Sequence, residues 1–143
     1  MKRNTQSASV TALTRAALIA ALYAALTLLP VLLPEAIPAL AVGCLLANIL
    51  GGCSIFDILF GTLATLLAGC MTRYFRNKFA LAAAMPVILN GLIVGSVVHC
   101  VYAPVVPLPL CMLSVAAGEI IPCYVLGPMV LHVLRRLPSR FLA

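Results

Sequence analysis

Long apolar runs dominate this chain, and short polar or proline-rich stretches interrupt them. A helix crossing the hydrocarbon of a bilayer needs about 20 predominantly apolar residues. The runs at roughly 10–33, 36–51, 54–72, 80–101 and 108–134 meet or approach that length. The pattern therefore predicts an all-α fold, a polytopic membrane helix bundle of about five transmembrane helices. Residues 1–9 read as a polar, cytoplasmic-type tail, 10–136 as the bundle, and 137–143 as a basic C-terminal tail. The stretch CVYAPVVPLPL, 100–110, carries three prolines and no charge, which predicts a loop or broken segment at the far interface. The N-terminus has the basic start of a signal peptide, but the run that follows is too long for such a segment and reads as a retained span.

Composition supports a membrane setting. Apolar residues make up 64% of the chain and charged residues 8%. A soluble domain is about half apolar and a quarter charged. The nine Lys and Arg residues outnumber the three Asp and Glu, yet they form no nucleic-acid patch. They gather at the ends of apolar runs: Lys2, Arg3 and Arg15; Arg73, Arg76 and Lys78; Arg135, Arg136 and Arg140. Cytoplasmic loops of polytopic proteins are marked in this way. The six cysteines include no C-x-x-C pair and read as small hydrophobes within or beside the runs, so no metal site or cofactor is expected. No G-x-x-x-x-G-K-[ST] motif is present to bind ATP, and no nucleophile elbow, HExxH motif or closely spaced carboxylate pair argues for an enzyme.

Topology raises a parity problem at LTLLPVLLPEAIPAL, 26–40. Two runs separate Glu35 from the Arg73 cluster and two more reach the Arg135 cluster, so all three points share one side. If that side is cytoplasmic, the basic N-terminal tail should lie there too. Residues 10–33 would then have to leave and return, which takes about 40 residues as two full spans, and only 24 are present. A first segment broken at Pro30 and Pro34 is a re-entrant alternative, tolerated where protein surrounds the freed backbone groups.

Small residues recur every fourth position in TRAALIAALYAALT: Ala16, Ala20 and Ala24 form one stripe, and Ala17, Ala21 and Ala25 another. Such stripes let helices approach closely in lipid. Gly43, Ala47 and Gly51, then Gly61, Thr65 and Gly69, then Gly91 and Gly95 repeat the signal. The polar residues inside the runs are few: Asn48, Asp57, Asn90, His99 and Glu119. Ionisable groups at membrane depth usually face a cavity or a partner. Depth along the runs points all five toward one pocket in the outer half of the bundle. Each also has a plainer reading: interhelical hydrogen bonds for the asparagines, a helix cap for Asp57, an interfacial position for His99. Glu119 is hardest to explain as scaffold, because Pro122 and Pro128 follow it and proline opens the helix locally.

The stretches PEAIPALAVGCLLANILGG (34–52), IFDILFGTLATLLAG (55–69), PVILNGLIVG (86–95) and SVAAGEIIPCYVLGPMVLHVLRR (114–136), with TRAALIAALYAALT before them, resemble the QueT family of queuosine-precursor transporters. Those proteins are substrate-binding S components of energy-coupling factor (ECF) transporters. The resemblance implies six helices with both termini on the cytoplasmic side of a bacterial cell membrane, an ECF transmembrane coupling subunit, and ATPase subunits. It further implies docking of that partner through the alanine stripe, at Ala16, Ala20 and Ala24 or at Ala17, Ala21 and Ala25. Typical members carry another outer loop and helix where Thr27 here runs almost directly into Leu28–Pro34, so the chain looks shortened by about one helix, which would account for the parity problem. The implied ligand is a 7-deazaguanine such as preQ1 or preQ0. Glu119 would then take the base edge, Asn90 and Asn48 would support it, and Asp57 would pair with an aminomethyl cation. An S component for another vitamin-like solute, a non-binding membrane scaffold and an ion-coupled carrier built on Glu119 remain the competing readings.

Overall fold

A computed structural model describes residues 22–23 and 25–136. Among them the fold is all-helical. Residues 22–23 and 25–26 are helical, and the chain passes through a turn into a 3₁₀ turn, Leu29–Val31. Four longer helices follow. Helix α1 is Ala36–Leu50. Helix α2 opens with a π turn, Asp57–Gly61, and continues as Thr62–Tyr74. Helix α3 spans Phe79–Tyr102, its last turn a π turn from Val98. Helix α4 spans Leu108–Leu134 and widens into a π turn at Pro122–Leu126. Helices α3 and α4, at 24 and 27 residues with mean hydropathies of 2.1 and 1.7, are long and apolar enough to cross a membrane. Helix α1 is apolar but shorter, at 15 residues.

The last four runs thus become helices within a few residues of their expected limits. The first differs. Its described part is helical only to residue 26 and then turns, because Pro30 and Pro34 cannot extend the backbone ladder. The expected loop at 100–110 narrows to 103–107: α3 runs through Tyr102, and Pro109 sits in the first turn of α4, where proline's missing N–H costs nothing.

Local chemistry explains the boundaries. Pro38 lies in the first turn of α1. At its other end, Gly52 takes φ +67°, the conformation that favours glycine. There the Cys53 N–H bonds Asn48 O at 3.0 Å and the Gly52 N–H bonds Ile49 O at 3.2 Å, the paired closure of a Schellman motif. Ser54 starts α2: its hydroxyl accepts the Asp57 N–H at 3.2 Å and donates to the Asp57 carboxylate at 3.4 Å. Within α3, Pro86 has no N–H to give to Ala82 O. The Thr72 hydroxyl of α2 donates to that carbonyl instead, at 3.1 Å.

The helices alternate in direction. Arg73, at the end of α2, donates through Nη1 to the carbonyls of Pro30, Val31 and Leu32 at 3.4, 3.1 and 3.4 Å. The Tyr124 hydroxyl of α4 donates to Ala80 O at the start of α3 at 2.9 Å, and its ring meets Phe79 edge to face. The turn before Glu35, the Arg73 cluster and the end of α4 therefore share one end, as the parity argument requires. The opposite end holds the 51–54 and 103–107 loops. From Tyr23, beside Thr65 at mid-length of α2, to Val31, beside Arg73, the described first segment descends toward the basic end. The face occupied by residues 1–9 lies outside the described residues.

The core gathers Leu28, Val31, Ala82, Ala83, Val87, Cys123 and Leu131, so the first segment is wedged against α3 and α4. Gly127 gives Leu28 room, since a Cβ there would collide with the leucine methyl. Gly91 and Gly95 form the seam between α3 and α4. A Cβ at Gly91 would lie 3.0 Å from Ala116 Cβ, and one at Gly95 would lie 2.6 Å from Met112 Cα. Gly69 packs on Ile37 and Pro30, and Gly61 on Asn48. Gly43 meets nothing within 4 Å among the described residues, so that part of its stripe seals no contact there.

Candidate functional site

The α3–α4 seam brings Asn90 and Glu119 together. Asn90 lies beside Gly91, and Glu119 lies one turn beyond Ala116, so the close glycine contact sets the spacing of the polar pair. The Asn90 amide donates to Glu119 Oε1 at 2.7 Å. Asn90 is 6% exposed. The other two oxygens, Asn90 Oδ1 and Glu119 Oε2, are buried and accept no hydrogen bond among the described residues. A buried polar atom left unpaired costs about 1–3 kcal/mol. Ionisable groups at membrane depth usually face a cavity or a partner, and here Glu119 faces Asn90.

A second polar group forms at the end away from the basic clusters. The Asn48 amide donates to Asp57 O at 3.1 Å and to Cys44 Sγ at 3.6 Å. The Tyr102 hydroxyl donates to the Asp57 carboxylate and accepts the Ser54 N–H at 3.2 Å. This tyrosine inserts itself into the Ser54–Asp57 cap and ties the end of α3 to the start of α2. His99 stands apart, its Nδ1 bonded to Val106 O at 2.7 Å, where it pins the 103–107 loop. The five residues expected to converge on one pocket instead form two hydrogen-bonded groups and a loop contact. The reason is local: Asp57, Asn48 and His99 each find a backbone or hydroxyl partner within reach of a helix end, whereas Asn90 and Glu119 lie mid-helix, where the backbone is already paired.

Of the alanine stripes, Ala16, Ala17, Ala20, Ala21 and Ala24 lie outside the described residues. Ala25 is 1% exposed and packs inside the bundle. Sequence reasoning passed over Tyr23, Thr65 and Tyr102. The Tyr23 hydroxyl lies 3.2 Å from Thr65 Oγ1. A helix cap was one reading of Asp57, but nothing in the sequence revealed that Tyr102 binds its carboxylate.

A groove of ≈ 650 Å3 runs along Phe56, Phe60, Leu92, Val97, Val101 and Met112. Its only hydroxyl, on Ser96, is engaged by Leu92 O at 2.6 Å. None of the predicted polar residues lines it. Its lining suits alkyl chains, and both polar groups lie apart from it. Among the described residues no group of His, Cys, Asp or Glu could hold a metal ion.

An all-helical fold with two span-length apolar helices and a part-buried carboxylate–carboxamide pair has the build of a membrane protein. The family profile described as QueT transporter matches residues 24–136, and the chain belongs to that family. It is a family of transporters, not of enzymes. No curated protein and no solved structure matches the chain.

Proposed function

We propose that this chain is the substrate-binding membrane subunit of an ECF-type importer for a queuosine precursor, a 7-deazaguanine such as preQ1 or preQ0. The observation that carries the reading is the pair of buried acceptors, Glu119 Oε2 and Asn90 Oδ1. A guanine-type edge offers adjacent N–H donors, and a carboxylate oxygen beside a carboxamide oxygen complements them. Hydrogen bonds to a charged acceptor are the stronger ones, so Glu119 is assigned the main contact. Asn90 holds the carboxylate through its amide and turns its own oxygen toward the same ligand. Asn48 and Asp57 frame the site from the outer rim, their side chains committed to one another's helix and to Tyr102 and Ser54.

On this reading the protein is a multi-pass bundle in a bacterial cell membrane, with the Arg73 and Arg135 clusters cytoplasmic. Its energy comes from an ECF transmembrane coupling subunit and ATPase subunits, docked through small residues of the first segment. Ala25 packs inward, which leaves Ala16, Ala20 and Ala24 as the sequence stripe assigned to docking.

The test is the thermal stability of the purified protein in detergent against preQ1, preQ0, queuine, guanine, riboflavin and biotin. A ligand at 100 times its Kd stabilises the folded state by about 2.7 kcal/mol. A rise in Tm of several degrees with 7-deazaguanines alone, lost in Glu119→Gln, is the expected result. No rise with any of them, from a sample that melts cooperatively, would leave a membrane scaffold. An unchanged affinity in Glu119→Gln would remove the carboxylate from the site.

A further inference from the structure

The first segment does more than fill the core, and Tyr23 is the reason. Three contacts seat this segment against α2 and α4. Tyr23 meets Thr65 of α2 at 3.2 Å, Thr27 meets Cys123 of α4 at 3.9 Å, and Leu28 nests against Gly127. Cys123 lies one helical turn beyond Glu119, so the segment passes along the side of α4 that bears the carboxylate. The Thr27 N–H bonds Tyr23 O at 3.2 Å, so Tyr23 sits one turn before Thr27 as Glu119 sits one turn before Cys123.

The direction of the Tyr23–Thr65 bond follows from proton counting. A threonine hydroxyl has one proton, and Thr65 gives its own to Gly61 O at 3.0 Å. Tyr23 must therefore donate to Thr65, which leaves the lone pairs of the tyrosine oxygen as acceptors. Glu119 Oε2 and Asn90 Oδ1 accept no hydrogen bond among the described residues, and the Tyr23 oxygen, its proton given to Thr65, keeps acceptor lone pairs as they do.

We propose that Tyr23 is a third ligand-contacting residue of the Glu119 site, its hydroxyl oxygen accepting an N–H of the bound base while Thr65 holds the ring in place. The proposal rests on the transport reading above and deepens it. It gives the short first segment a part in recognition and makes the site a set of acceptors matched to a donor-rich heterocycle.

The chain has four tyrosines and no tryptophan, which makes a direct readout simple. The full chain, carrying ring-13C tyrosine, is titrated in detergent micelles with preQ1 and with preQ0 while tyrosine resonances are followed. Single Tyr→Phe variants at 23, 74, 102 and 124 assign the signals. The Tyr23 resonance should move on saturation, with the other three far less affected. Tyr23→Phe should weaken binding about tenfold, the loss of one good hydrogen bond, while Tyr74→Phe, at the exposed end of α2, binds as the native protein does. If Tyr23→Phe does not fold, the other three variants still identify the Tyr23 signal by elimination. A ligand-induced rise in Tm with a stationary Tyr23 resonance, or native affinity in Tyr23→Phe, overturns the Tyr23 assignment and leaves the transport reading standing. No rise in Tm and no moving resonance with either base overturns both.

Discussion

Gly95→Ala tests the link between helix packing and the polar site. An alanine Cβ at that position would sit 2.6 Å from Met112 Cα and 3.1 Å from Met112 N. Carbon atoms in good contact are about 3.5–4.0 Å apart. Helices α3 and α4 must therefore part by roughly 1 Å at that level. The obstacle is backbone, so no rotamer change relieves it. Overpacking of this kind costs about 1–3 kcal/mol, and a fall in Tm of roughly 3–10 °C follows for a chain of this size. The same seam carries Gly91 against Ala116, flanked by Asn90 and Glu119, so prying it open lengthens their 2.7 Å hydrogen bond. Stability and ligand affinity should fall together. Gly43→Ala is the matched control, because nothing lies within 4 Å of its Cβ and alanine is the better helix former. The assay is thermal unfolding in detergent with and without a 7-deazaguanine. Should Gly95→Ala melt within about 1 °C of Gly43→Ala and bind as tightly, the seam does not set the geometry of the site.

Other consequences follow from single contacts. Thr72→Val should lower stability by about 1–3 kcal/mol, since it strands the Ala82 carbonyl that Pro86 leaves unbonded. Adding Pro86→Ala, whose N–H can reach that carbonyl, should recover part of the loss in a double-mutant cycle read by thermal unfolding; strict additivity would refute the pairing. Gly52→Ala should cost about 1–2 kcal/mol, because φ +67° is strained for alanine, and a neutral melt would count against the Schellman closure of α1. Arg73→Ala should cost about 1–3 kcal/mol through loss of its bonds to the 30–32 carbonyls. Arg73→Met, matched in length but unable to donate, should behave alike, and recovery of stability in it would mean that the side chain acts by packing. Asp57→Asn should leave affinity for preQ0 nearly unchanged, because its carboxylate is already held by Tyr102 and Ser54; a loss of tenfold or more would place it on the ligand.

Which residues belong to helices was legible along the chain. Apolar runs ended by Gly51–Gly52, by the Arg73 cluster, by the prolines at 104–109 and by Arg135 correspond closely to α1–α4. The Gly91 and Gly95 spacing pointed to close helix contact, and Met112 and Ala116 fill it. Glu119 stood out because a carboxylate amid apolar residues demands a partner. Which partner it takes was not legible, since 29 positions separate it from Asn90 and many polar residues could have met it. Asp57 and Asn48 looked equally promising by composition, yet helix ends offered them hydroxyl and backbone partners that the interior did not.

Hydrophobicity and charge act on each segment by itself, so the chain alone determined that it forms membrane-type helices, where they stop and which end collects the positive charge. Hydrogen-bond pairing depends on which helices become neighbours and at what register, and that only the packed bundle decided. The glycine seam set Asn90 on Glu119, Pro86 obliged α2 to supply Thr72, and Arg73 closed on the carbonyls of a turn that proline had left without helix partners. The wedge of residues 22–31 against α3 and α4 belongs to the same class of fact. It rests on Leu28 fitting the space above Gly127, a match of shape between positions far apart in the chain.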